Sequence, residues 1–243
     1  MANIGARQRL IVALDTGTVE EARGLVRRLG DAVSFYKIGL ELVMSGGLDF
    51  ARALTGEGKQ VFLDMKLLDI ENTVERATRN AAATGATFLT VHGHDLKTLR
   101  AAVAGKSGTG LRVLAVTVLT NLTAADLVDQ GLQETPQALV TRRARLAHAA
   151  GCDGIVAAGA EVPLVRAVVG PGIAIVTPGI RRAGDAAGDQ ARITPPGAAI
   201  LAGADYLVVG RPITGQPEPR QAVESYRRDI EDALAQRALG PPS

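Results

Sequence analysis

Eight times along this chain, a short run of β-branched and other aliphatic residues is followed by an amphipathic stretch rich in Ala, Leu and Arg. No other feature narrows the fold as much. Short aliphatic runs of this kind read as buried strands. A strand, a helix and a second strand in succession demand parallel pairing through a right-handed crossover. The strand candidates are 9–15, 34–39, 61–66, 88–93, 112–119, 154–159, 174–179 and 206–212, with helical patterns between them such as 19–29, 72–84 and 136–150. Eight units favour a closed barrel over an open doubly wound sheet, and 243 residues suit one such barrel. The expected fold is α/β, a single (β/α)8 TIM barrel. It forms one catalytic domain over residues 1–243, with the barrel at about 9–235 and frayed termini.

Composition restricts what such a barrel does. Apolar residues make up 47% of the chain but aromatics only 3%, with no Trp, so the core is expected to be built from Ala, Val, Leu and Ile. So few rings leave no base-stacking surface, and a net charge of +2 without a basic run gives no nucleic-acid arm. The lone Cys152 excludes an intrachain disulfide and fits a reducing compartment. No apolar run reaches membrane-spanning length, and residues 1–9 lack the apolar region of a signal peptide. The reading is a cytoplasmic protein with neither nucleic acid nor membrane as partner.

Active sites of such barrels form at the C-terminal ends of the strands. Those ends carry Asp15, Lys37, Asp64 with Lys66, His92, Thr120, Pro178 with Arg181, and Gly210 with Arg211; Asp69 follows shortly after the third strand. The chain has five lysines against 22 arginines, yet Lys37 and Lys66 both fall at strand ends. Where charge alone suffices this sequence uses Arg, so lysine here points to proton chemistry, since an ammonium can release a proton. Asp64 and Lys66 are two apart on a strand and face the same way, into the barrel mouth. Asp69, at the start of a helix, also reads as a plain helix cap, and either lysine alone as an ordinary ion pair.

Gly210 and Arg211 follow the eighth strand, where many barrels hold a phosphate. Arg181 and Gln190, in the long unpatterned segment 180–192, can reach the same anion; such a segment is usually a lid, a binding loop or locally disordered. His92 and His94 are too few for a metal site, because the third histidine, His148, lies far along the chain on a helix. His92 reads as a hydrogen-bonding support, His94 as a loop residue, and Cys152 as a small core residue.

The segment Phe62-Leu63-Asp64-Met65-Lys66-Leu67-Leu68-Asp69-Ile70-Glu71-Asn72-Thr73 resembles the D-x-K-x-x-D-I-x-x-T signature of the orotidine 5′-phosphate decarboxylase family. The likeness extends from Leu10 to about Ile213. It takes in Leu14-Asp15, Tyr36-Lys37-Ile38-Gly39, Thr90-Val91-His92, Leu119-Thr120, Thr177-Pro178-Gly179-Ile180-Arg181, Gly184-Asp185, Asp189-Gln190 and Val209-Gly210-Arg211-Pro212. Asn121 departs from the family pattern, in which Ser commonly follows the threonine.

The resemblance implies a homodimer that converts orotidine 5′-phosphate to uridine 5′-phosphate without metal or organic cofactor. It further implies Lys66 as proton donor, Asp64 beside the departing carboxylate, Lys37 in the charged array and Asp15 on the ribose. Asp69, Ile70 and Thr73 would enter the partner's site, and Thr120 would lie by the pyrimidine. Arg181, Gln190, Gly210 and Arg211 would hold the phosphate. Two alternatives stand beside this. One is a Mg²⁺-dependent sugar-phosphate decarboxylase or aldolase on the same barrel, although Lys37 occupies the place where it needs a carboxylate. The other is a nucleotide-binding barrel without catalysis.

Overall fold

The computed structural model describes residues 4–185 and 193–239. Eight parallel strands close in chain order, β8 pairing with β1. They are β1 (Leu10–Ala13), β2 (Phe35–Gly39), β3 (Gln60–Leu67), β4 (Phe88–His92), β5 (Arg112–Val116), β6 (Gly154–Val156), β7 (Ala174–Thr177) and β8 (Tyr206–Val209). One principal helix follows each: α1 (Val19–Leu29), α2 (Leu48–Gly56), α3 (Glu71–Ala82), α4 (Leu96–Gly105), α5 (Pro136–Ala150), α6 (Val162–Val169), α7 (Pro196–Ala202) and α8 (Pro219–Ala238). The expected (β/α)8 barrel is therefore present.

Local chemistry sets the helix ends. The Thr18 side chain accepts from the Glu21 amide while Glu21 reaches back to the Thr18 amide, a reciprocal cap that starts α1. Thr135 caps α5, Pro136 takes its first position, and Gly151 stops it in a left-handed conformation (φ 81°).

Several strands end earlier than expected on their C-terminal sides: the ladder stops at Ala13 rather than 15, at Val116 rather than 119, at Val156 rather than 159 and at Val209 rather than 212. There the chain leaves the sheet and turns its residues into the barrel mouth. Short helices at Ala124–Asp129 and Arg211–Thr214 occupy two of these departures.

The core is built largely from the expected Ala, Val, Leu and Ile, with rings added in one place. Leu10, Val12, Val61, Leu63, Leu89, Val91, Val113 and Ala115 do pack outward against the helices. The barrel interior sets four rings among aliphatic residues such as Ile11, Leu114 and Val176. Phe35, Phe62, Phe88 and Tyr206 sit inside it, with ring centroids 5.2 Å apart for Phe35–Phe88, 5.9 Å for Phe62–Phe88 and 5.1 Å for Phe88–Tyr206. An eight-stranded barrel fills its centre with layers drawn from alternate strands. Large rings help fill that space; Phe35, Phe88 and Tyr206 come from even-numbered strands.

Below this floor, Asp205 pairs with Arg166 at 2.7 Å, and the Arg9 guanidinium donates to the Asp205 carbonyl at 3.0 Å. Arg166 also donates to the carbonyls of Gly170, Ile173 and Gly203. These bonds tie the N-terminal end of the barrel together and leave the C-terminal mouth for chemistry.

Candidate active site

The mouth contains a cavity of about 240 Å³ lined by Asp15, Lys37, Asp64, Lys66, Thr120, Pro178, Arg181, Gly210 and Arg211. Phe62, Val116, Val118, Val156 and Val208 supply its apolar wall. Every residue read from the strand ends as a candidate faces this cavity, apart from His92.

At its centre is an alternating charge array. Lys37 Nζ lies 2.8 Å from Asp15 Oδ1 and 3.8 Å from Asp64 Oδ2, and Lys66 Nζ lies 2.8 Å from Asp64 Oδ1. Asp64 is thus set between two ammonium groups. Burial pushes its carboxyl pKa up, but Lys37, Lys66 and a hydrogen bond from Thr90 outweigh burial and hold it below the ordinary carboxylate value. Asp64 is therefore ionised near neutrality.

The backbone that carries the array is irregular. Leu63 pairs with Leu89 and Leu67 with Val91, so three residues of β3 stand opposite the single Thr90 of β4. Lys66 has φ 49°, the one non-glycine residue with positive φ among the described residues. For an L-residue this conformation costs about 1–2 kcal/mol. The facing predicted from spacing nevertheless survives: Met65 and Leu67 pack on the outer core while Asp64 and Lys66 line the cavity.

Arg181 and Arg211 follow β7 and β8 and line the same cavity. Burial is the largest influence lowering the Arg181 pKa; the charge of Arg211 also lowers it, against opposing effects of Tyr226 and Asp185. Two guanidiniums close enough to repel each other in a cavity make a natural place for a multiply charged anion. Beyond Arg181 the segment is anchored: Tyr226 Oη donates to Asp185 Oδ2 at 2.5 Å, and Ile180 bridges to Thr194. Gln190 lies outside the described residues, as does most of the expected lid.

Asp69, Ile70 and Thr73 are not brought into this cavity. They are exposed on the surface of the chain, Ile70 at 73%. Asp69 is not the helix cap either: Ile70 holds that position before α3, and Asp69 Oδ1 accepts the Ile70 amide at 2.7 Å.

His92 and His94 stack edge to face, centroids 4.9 Å apart. Burial, reinforced by His94, Arg143 and Lys66, pushes the His92 pKa down to about 4. Among the described residues no group of three or more His, Cys, Asp or Glu is placed to hold a metal ion. Cys152 is buried, and burial with the nearby Asp153 pushes its thiol pKa up to about 12, as befits a core residue.

One residue that strand-end reading missed is Thr90. It lies inside β4, fully buried, and its hydroxyl contacts both members of the Asp64–Lys66 pair. The polar third residue of an otherwise apolar strand, Phe88-Leu89-Thr90-Val91, was the available signal.

A barrel mouth with a lysine–aspartate array and two arginines defines a class: an acid–base enzyme acting on a small phosphorylated molecule. The relatives narrow that class. The profile of the orotidine 5′-phosphate decarboxylase / HUMPS family matches residues 8–226. A protein of Bradyrhizobium sp. strain BTAi1 named orotidine 5′-phosphate decarboxylase is 53% identical over 232 residues, covering 96% of this chain and 95% of its own. One of the same name from Methylorubrum extorquens is 54% identical over 227 residues, covering 93% and 97%. The crystal structure of orotidine 5′-phosphate decarboxylase from Lactobacillus acidophilus superposes with a TM-score of 0.81 at 32% identity, covering 91% of this chain and 98% of that one. The chain belongs to the orotidine 5′-phosphate decarboxylase / HUMPS family.

Proposed function

We propose that this chain is a carboxy-lyase that converts orotidine 5′-phosphate to uridine 5′-phosphate and carbon dioxide in pyrimidine synthesis, with Lys66 as the proton donor. The observation that carries the residue assignment is the Lys37–Asp64–Lys66 array, with Nζ–Oδ distances of 3.8 and 2.8 Å. The bond from the ring carbon to its carboxylate breaks, the electron pair stays on that carbon, and carbon dioxide leaves. The ring gives this vinylic carbanion little delocalisation, so fixed charges in a closed site must stabilise it. The Lys66 ammonium faces it and then delivers its proton. Asp64, ionised, stands beside the departing carboxylate. Asp15 holds the ribose, Lys37 stands in the charged array, Thr120 and Pro178 flank the pyrimidine, and Arg181, Gly210 and Arg211 hold the phosphate; Gln190, outside the described residues, is assigned to the same phosphate. Phosphate binding, remote from the reacting carbon, supplies binding energy that supports the chemical step.

No step calls for electron transfer or a Lewis acid, so we assign the reaction no metal or organic cofactor. The whole chain acts as one catalytic domain. The absence of a helix long and apolar enough to cross a membrane, among the described residues, and the buried thiol accord with a cytoplasmic location.

The working form is a homodimer with shared sites. Leu40, Met44, Leu68 and Ile70 are 52%, 87%, 51% and 73% exposed beyond β2 and β3, an apolar surface that favours burial against a second copy. Asp69, Ile70 and Thr73 share that side and would enter the partner's site. Mixing tests this. Lys66→Ala and Asp69→Ala chains should each be nearly inactive while remaining folded. Refolded together, half the dimers are mixed, and each mixed dimer has one site with both residues intact. Roughly a quarter of sites should then recover under two-fold symmetry. No recovery, with mixed dimers present by mass, would refute sharing; near-normal turnover by Lys66→Ala alone would remove Lys66 as proton donor.

A further inference from the structure

We propose that Thr90 is a positioning residue for the decarboxylation, its hydroxyl holding both the Asp64 carboxylate and the Lys66 main chain in the geometry the proton donor needs. This rests on the assignment of Lys66 made above and extends it to a residue that does not line the cavity.

The case begins with the ladder. Between the pairs Leu63–Leu89 and Leu67–Val91, β3 spends three residues where β4 spends one. Main-chain pairing is interrupted across that stretch, and the amide of Lys66 needs another acceptor in a part-buried setting. Thr90 Oγ1 supplies it at 2.9 Å. The same oxygen donates its hydrogen to Asp64 Oδ1, also at 2.9 Å. A hydroxyl has one hydrogen to give, and the amide approaching its lone pair leaves that hydrogen directed at Asp64. Asp64 Oδ1 accepts from Lys66 Nζ as well, at 2.8 Å. The result is a closed circuit: Lys66 amide to Thr90 hydroxyl, Thr90 hydroxyl to Asp64, and Lys66 ammonium back to Asp64.

The circuit explains how Lys66 keeps a conformation that L-residues disfavour. Its φ of 49° is held by surrounding bonds rather than by its own preference, and Thr90 provides the one that reaches its amide. Thr90 is 0% exposed, so water does not compete for either bond. Neighbouring strands thus divide the work: β3 carries the reacting groups and β4 sets their position.

Thr90→Val is nearly isosteric and removes only the hydroxyl function. The expected result is a fall in kcat on the order of ten- to a hundredfold, the scale of a misplacement of about 1 Å. KM and uridine 5′-phosphate binding should stay close to the parent, because the phosphate-holding groups lie on other strands. Thr90→Ser should restore most of the loss. Asp64 also loses a donor that helps keep it ionised; its remaining charged neighbours are Lys37 and Lys66, and the neutral His92 ring is the other titratable group nearby. The acid limb of the kcat profile should therefore move to higher pH in the Val variant and return in the Ser variant, which a merely structural role would not produce. If Val does not fold, Ala and Ser make the same comparison, differing only in the hydroxyl. A folded Val or Ala variant within threefold of the parent kcat, or a Ser variant as impaired as Val, would overturn the inference. Lys66→Ala, assayed alongside, separates the two claims. An inactive Lys66→Ala beside an unaffected Thr90→Val defeats the Thr90 role alone, whereas an active Lys66→Ala defeats the assignment beneath it.

Discussion

Acidification should destabilise this protein through one imidazole at the edge of the site. His92 ends β4, and burial, then His94, Arg143 and Lys66, lower its pKa from 6.5 to about 4, with only Asp64 opposing. Above pH 6.5 the ring is neutral both folded and unfolded and contributes no pH dependence. As pH falls from there towards 4, the unfolded chain takes up a proton that the folded chain refuses. Stability is thus fully present above the unfolded value and is lost as pH falls through the folded one. At about 1.4 kcal/mol per pH unit the full displacement corresponds to about 3 kcal/mol, and partial exposure of the ring screens this to about 1–3 kcal/mol. The assay is urea unfolding between pH 7.5 and 4.5, comparing the parent with His92→Gln, which keeps a polar side chain but does not titrate. His94 is also lowered and titrates in the same window, so a His94→Gln control separates the two rings. The parent should lose about 1–3 kcal/mol more than His92→Gln across that range. Parallel losses, or a His92 ring titrating near 6.5 by NMR, would refute the reasoning.

Two further outcomes concern the reaction itself. Arg211→Ala removes a charged hydrogen bond worth about 1.5–3 kcal/mol, so kcat/KM for orotidine 5′-phosphate should fall roughly ten- to a hundredfold, with far less effect on an analogue lacking the phosphate. Equal losses on both would place Arg211 outside the phosphate site. Turnover, followed by ultraviolet absorbance, should survive exhaustive chelation; activity that vanishes with chelator and returns with Mg²⁺ would favour the metal-dependent relatives instead.

The barrel was legible because its signal is repeated and local. Each strand and each helix announces itself within about ten residues, and eight repetitions leave little room for another architecture. The charged array was legible for a different reason: in a chain that writes Arg 22 times and Lys five, two lysines at strand ends stand out. The meeting of the interior rings was not legible. Phe35, Phe62, Phe88 and Tyr206 are spread over more than 170 residues, and their meeting depends on barrel closure and stagger, which no window of sequence contains. The placement of Asp69, Ile70 and Thr73 depends on a surface, and a single chain's periodicity does not say what covers it.

The segment Asp64-Met65-Lys66 shows where the boundary falls. Spacing of two predicts that Asp64 and Lys66 share a face, and they meet at 2.8 Å. That inference holds because alternation of side chains is a property of one strand and persists when its neighbour slips. Pairing is a property of two strands, and here it breaks: three residues of β3 oppose one of β4, and Lys66 adopts φ 49°. Neither the break nor the conformation is written in β3, whose eight residues read as an ordinary strand. The compensation lies 24 residues away, in the hydroxyl of Thr90. Strand-end rules find the groups that face the cavity, but groups that hold them sit one step deeper and one strand over, where a polar residue in an apolar strand is the only sequence hint and register shows what it meets. A buried hydroxyl directly opposite an interrupted stretch of ladder is therefore as informative a place to look for a positioning residue as the barrel mouth is for the reacting ones.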